Sequence, residues 1–210
     1  MYMRGGWKRW GLLAFLASPA FGAVMLGQVD DFQDGTLQGW TSGANNPNPP
    51  LWVPGAGPFG FDDAYMVTTS SGESGPGGQL VVFNDDQWTG NYLAAGVTAI
   101  QMRVQNFSQV PVELSLRVEG PGGVFNSISP VSIGINQFWQ MITLDISPAS
   151  LTGGADVFAT LSNVTRLRIQ DARGPLLSSV GFDKITAIPE PASVALLLAG
   201  AIPMVVRRRG

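Results

Sequence analysis

The chain has 210 residues, with fifteen Asp or Glu against twelve Lys or Arg, a net charge of −3, 45% hydrophobic residues, 27 Gly, 15 Pro, and neither Cys nor His. Without Cys or His there is no Ser-His-Asp triad, no Cys-His pair and no ordinary zinc or copper centre, and disulfides contribute nothing to stability. Residues 27–188 hold fourteen of the acids and only six of the bases, an acidic balance that argues against nucleic acid as a partner.

At the N-terminus, Arg4, Lys8 and Arg9 precede an almost wholly apolar run from Trp10 to Leu26, with small residues at Ser18, Ala20, Gly22 and Ala23. A basic segment, an apolar core and a small-residue cleavage zone read as a helical signal peptide over 1–26. The cut is expected between Ala20 and Gly27, for instance after Ala20 with Ser18 at minus three. A first membrane helix is the alternative. What remains to Ile188 suffices for one domain with a sizeable core.

Val29 to Phe32 suits a short strand, Asp34-Gly35 a turn, and Trp40 an anchor returning to the core. Leu51 to Val53 reads as an edge strand, because Pro54 cannot donate to a ladder. Ala64 to Thr69 and Gln79 to Phe83 are further strands, and Gln87 to Ala95 an irregular crossing. Val97 to Phe107 sets Ile100, Met102 and Val104 against Gln101, Arg103 and Gln105. Pro111 to Glu119 sets Val112, Leu114, Leu116 and Val118 against Glu113, Ser115 and Arg117. Such alternation marks half-buried antiparallel strands. Val124 to Ile135 holds one or two short strands broken at Pro130, and Phe138 to Ile146 another. Ser147 to Leu161 is the one helical patch, weakened by Gly153-Gly154. Asn163 to Gln170 is a strand, Asp171 to Pro175 a turn, and Ser179 to Ile188 the closing strand with Val180, Phe182 and Ile185 inward. The expectation is an all-β fold, an antiparallel β-sandwich of jelly-roll type over 27–188.

Beyond the domain come Pro189-Glu190-Pro191, an apolar stretch from Ala192 to Val206, and Arg207, Arg208 and Arg209. An apolar stretch enters lipid and a terminal basic cluster stops it from passing through. The tail, 189–210, resembles the PEP-CTERM sorting signal of Gram-negative bacteria. The resemblance implies an exported exosortase substrate, held transiently in the inner membrane by the helix over 192–206 and then released to the cell surface or outside, often into an exopolysaccharide or biofilm matrix. Fifteen apolar residues fall short of the ~20 that span a bilayer.

A second resemblance rests on Phe32-x-Asp34-Gly35 leading to Gly39-Trp40, and on Gly181-Phe182-Asp183-Lys184-Ile185. These are similar to the opening and closing strands of galactose-binding-like and carbohydrate-binding-module jelly rolls. In such folds the first and last strands lie side by side with a structural calcium near them. Carried over, this implies Asp31, Asp34 and Asp183 as Ca²⁺ ligands, oxygen donors of the type that ion takes. Solvated turn carboxylates are the alternative.

Aromatic rings and polar strand faces also suit a sugar. The candidate carbohydrate ligands are Trp52, Trp88, Tyr92, Arg103 and Arg117, while Trp40 and Trp139 read as core. An open face with exposed aromatics would mark a binding module, and its lack a structural, self-associating matrix protein. Glycosidases need two carboxylates set about 5 to 9 Å apart. Glu73, Glu113 and Glu119 lie in solvated contexts, so a glycan-active hydrolase is disfavoured and no catalytic residue is assigned.

Overall fold

The computed structural model describes residues 23–135 and 138–189. Two antiparallel sheets stack face to face. Sheet A runs β2 (Leu51–Val53), β3 (Tyr65–Ser71), β12 (Leu177–Ile188), β5 (Ala99–Asn106) and β9 (Gln140–Asp145), with β1 (Val29–Asp30) also paired to β12. Sheet B runs β10 (Leu151–Gly153), β7 (Gly123–Ser127), β6 (Val112–Gly120), β11 (Arg166–Pro175) and β4 (Gln79–Asn84), with β8 (Val131–Ile133) on β6. The expected β-sandwich is what forms.

Period-two alternation decides which side chains meet between the sheets. Ile100, Met102 and Val104 of β5 and Val180, Phe182 and Ile185 of β12 face Leu114, Leu116 and Val118 of β6 and Leu167 and Ile169 of β11, all essentially inaccessible. Each such side chain contributes about 1.5–3 kcal/mol through burial. The register fixes the opposite faces equally firmly, because a one-residue slip would turn the core outward.

The last strand organises sheet A. β12 pairs with β5 along one edge, and with β3 and then β1 in tandem along the other. Between Asp183↔Arg103 and Thr186↔Gln101 the register gains a residue, a β-bulge with Lys184 in the left-handed region at φ 49°. The bulge falls in the gap between β3, which ends at Met66↔Phe182, and β1, which begins at Asp30↔Ile185.

Several local expectations change. Ser147 to Leu161 is not one helix. It divides into a 3-10 turn (Pro148–Ser150), β10 and α2 (Val157–Leu161), because Gly153 takes φ 137° and interrupts any helix there. The expected turn at Asp171 to Pro175 instead continues β11, and the crossing before β5 contains α1 (Tyr92–Ala95), capped by Asn91. Phe138 and Trp139 precede β9 rather than belonging to it.

Val24, inside the segment assigned to the signal peptide, is 4% exposed and donates its backbone N–H to the Thr89 carbonyl at 2.7 Å. The expected signal helix does not extend over the described residues 23–26, which are non-helical; its residues 1–22, the apolar helix expected over 192–206, and Glu190, Pro191, Arg207, Arg208 and Arg209 lie outside the described residues, and Pro189 directly follows β12. The expected transmembrane helix, and with it transient inner-membrane anchoring, is corrected here. Among the described residues no helix is long and apolar enough to cross a membrane.

Candidate functional site

The structure separates the residues that sequence had grouped. Trp88 and Tyr92 are fully buried; the Trp88 indole donates to Asp30 Oδ2 at 2.6 Å and the Tyr92 hydroxyl to the Trp88 carbonyl at 2.9 Å. Neither ring has a face for a ligand, so their assignment as sugar platforms is corrected. Trp52 lies at the edge of sheet A, and its indole donates to the Phe32 carbonyl at 2.8 Å. Arg103 stands on the outer face of sheet A and Arg117 on that of sheet B, so no single ligand joins them.

Sequence reading missed Asp30. Its partner across β12 is the inward-facing Ile185, so its carboxylate enters the core. There it accepts from the indoles of Trp40 and Trp88 and from the amide of Gln87. Burial raises its pKa, and those three donors oppose the rise. In Val29-Asp30-Asp31, strand parity alone distinguishes the buried acid from its half-buried neighbour, and a two-residue strand reveals its parity only once paired.

The outer face of sheet B gathers polar side chains across adjacent strands. Phe83, Arg168, Arg117 and Asn126 are successive cross-strand partners from β4 through β11 and β6 to β7, a row about 14 Å long at the usual strand spacing. Thr152 of β10 continues it. One register step away, Arg166 pairs with Glu119, and on the other side Gln170 pairs with Ser115. Glu119 binds Arg117 at 3.3 Å, Arg168 at 3.2 Å and Arg166 at 3.7 Å, and Arg166 also reaches Asp85 at 2.8 Å. The Arg166 guanidinium lies 4.3 Å from the centre of the Phe83 ring. The face thus combines rigid strands, a ring and many fork-shaped donors.

The outer face of sheet A is covered. A Cβ on Gly181 would meet Trp139 at 2.7 Å and Phe107 at 2.9 Å, so these rings rest directly on the strand. Tyr65 joins them, its ring centre 5.1 Å from that of Trp139 and nearly perpendicular to it. The Trp139 indole is turned to the Ala56 carbonyl, which ties the cluster to the loop over 54–64. Trp139 is therefore part of a surface cluster rather than of the core between the sheets. Cavities of about 510 Å³ beside Phe107 and about 180 Å³ beside Arg103, Phe59 and Met141 flank it.

Next to the bulge, Asp183 is wholly buried on this covered side, and neither carboxylate oxygen meets a hydrogen-bond donor in good geometry. Burial pushes its pKa up to about 7, only partly offset by the Lys184 backbone N–H. The three expected calcium ligands have different surroundings. Asp34 is held in its own turn by Thr36 and Gln38, Asp31 pairs with the Lys184 ammonium at 3.2 Å, and of the three only Asp183 has no side-chain partner. Among the described residues no three acidic side chains group as a metal site.

No family model matches the chain, and no curated protein matches it. Solved structures do. An exo-beta-agarase superposes with a TM-score of 0.57 at 12% identity, over 81% of this chain and 25% of that one, so the chain spans a quarter of the agarase. A family 11 carbohydrate-binding module from Clostridium thermocellum, in complex with a beta-1,3-1,4-mixed-linked tetrasaccharide, gives 0.51 at 15% identity, over 80% of this chain and 98% of the module. The family 11 module of a cellulosomal cellulase from the same organism gives 0.51 at 15%, over 80% and 96%. The chain has a carbohydrate-binding-module-like jelly-roll fold.

Proposed function

We propose that the domain is a non-catalytic module that binds polysaccharide along the outer face of sheet B. The observation that carries this reading is the row Phe83, Arg168, Arg117 and Asn126. It crosses four strands without interruption and combines a half-buried ring, with the Arg166 guanidinium against it, and a run of hydrogen-bond donors, the pairing that the C–H and O–H faces of a sugar require. The length of the row suits a chain ligand, and the fold likeness to a module seen with a tetrasaccharide agrees with it. The PEP-CTERM-like tail would be the substrate of an exosortase-type enzyme.

Affinity electrophoresis through gels containing mixed-linked β-glucan, agarose, xylan or polyuronate tests the reading. We expect at least one polymer to retard the protein, with retardation falling at least tenfold in Phe83→Ala. Free migration in every gel would overturn it.

A second reading has its own observation. Phe59, Phe61 and Phe138 are 63%, 92% and 88% exposed, and Met141 is also exposed. Phe59 and Met141 line one cavity, while Phe138 adjoins Trp139, which holds the loop carrying Phe59 and Phe61. An apolar patch of this kind suits self-association of a matrix protein. Sedimentation of the wild type against Phe61→Ser/Phe138→Ser measures it: concentration-dependent assembly abolished by the double change supports this role, and a monomer throughout excludes it.

A further inference from the structure

Three of the six basic residues of the acidic domain meet at one place. Arg117, Arg166 and Arg168 come from two neighbouring strands of sheet B, and Arg117 stands directly opposite Arg168. Like charges set opposite each other across a ladder repel. Two carboxylates answer three guanidiniums, and of these Glu119 is divided among all three at single-contact distances while Asp85 serves only Arg166. Each guanidinium has five N–H donors, so the acceptors present use a small part of those available. The Nε groups of Arg166 and Arg168 have no partner. The three side chains nevertheless reach solvent, 22–32% exposed.

We infer that this cluster recognises an anionic substituent on the bound glycan, a carboxylate or a sulfate ester, with Arg117 and Arg168 as its fork-shaped ligands. The inference rests on the polysaccharide reading of the same face and specifies its ligand class. Glu119 Oε1 already bridges Arg117 and Arg168; a carboxylate or sulfate placed against their remaining N–H donors supplies further acceptors and the missing negative charge, and accepts two parallel N–H donors from one fork. The electrostatics agree: burial, and next the Arg117 charge, lower the Arg168 pKa, a cationic form held at a disadvantage that a bound anion relieves. Asn126 and Thr152, further along the row, are left for the sugar ring. The surrounding acidic surface repels polyanions in general, so only a chain with its charges in register with this row is accepted.

The test uses the purified full chain with four probes in calorimetry and affinity electrophoresis: polygalacturonate, its fully methyl-esterified form, a sulfated galactan, and sodium sulfate alone. Either charged polymer is expected to bind at least tenfold more tightly than the neutral ester. Its affinity should also fall steeply between about 50 and 500 mM salt, because added ions screen the guanidiniums and compete with the polyanion for them. Arg117→Gln and Arg168→Gln are expected to lose that preference while keeping the wild-type far-ultraviolet spectrum, and Arg103→Gln on the opposite face to keep it. Stronger binding to polyuronate than to galactan, or the reverse, identifies the substituent. Equal binding of charged and neutral polymers, both weakened in Phe83→Ala, would overturn the anion inference and leave the polysaccharide reading standing. No binding to any polymer would remove both. Sulfate alone displacing the polymer at equal concentration would reduce the site to a small-anion pocket and overturn its assignment to a glycan.

Discussion

Asp30 holds three donors at once, and its loss would leave two indole N–H groups and an amide without acceptors in the core. Asp30→Ala is expected to cost about 3–5 kcal/mol, read in urea unfolding, because buried donors lose their partner and cannot recover it from water. Asp183 presents the opposite case, a buried carboxylate with no side-chain hydrogen-bond donor to hold it. Its folded pKa of about 7 lies above the ordinary value near 3.9, so the neutral form favours folding. That contribution is complete below about pH 4 and is lost as pH rises through about 7. Asp183→Asn should therefore raise the melting temperature at pH 8 and flatten its fall between pH 5 and pH 8, with a gain of about 1–3 kcal/mol at the upper end. A loss of stability at pH 8 would instead mean that the carboxylate is held by a cation.

At the scale of elements, the strands with clean alternation were legible. β5 and β6 announce themselves through Ile100, Met102 and Val104, and through Val112, Leu114, Leu116 and Val118, and all seven are buried. The inward set of the closing strand was equally visible. What sequence could not supply was pairing. Arg117 and Arg168 lie 51 positions apart, and only the register of β6 with β11 sets them opposite each other. Nor could it show that Trp139 covers Gly181, since that follows from the approach of a neighbouring element rather than from spacing. The covering predicts its own disruption: in Gly181→Ala the added methyl meets two rings at under 3 Å. The expected result is a displaced Trp139, seen as a shifted indole N–H resonance, and a loss of about 1–3 kcal/mol. The patch formed by Phe59 and Met141 should loosen with it.

For the whole molecule, the two outer faces differ in kind: sheet B presents charge and donors, sheet A a loop and rings. The core begins before Gly27, since Val24 is buried and bonded to Thr89. If the N-terminal segment is cleaved as a signal peptide, N-terminal sequencing of the processed protein is therefore expected to find a start at or before Ala23. A chain begun at Gly27 should melt lower, having lost about 1.5 kcal/mol or more of side-chain burial.

β12 lies inside sheet A rather than at its edge, and the chain leaves it at Ile188 for the tail. A pull on that tail is taken up along the strand axis by the ladder to β5 on one side and those to β3 and β1 on the other, so the domain resists extraction when dragged by its C-terminal end. Traction at the other terminus first meets β1, two residues deep, and would peel the segment around Val24 and Asp30 at far lower force. The domain therefore withstands load better from its last strand than from its first.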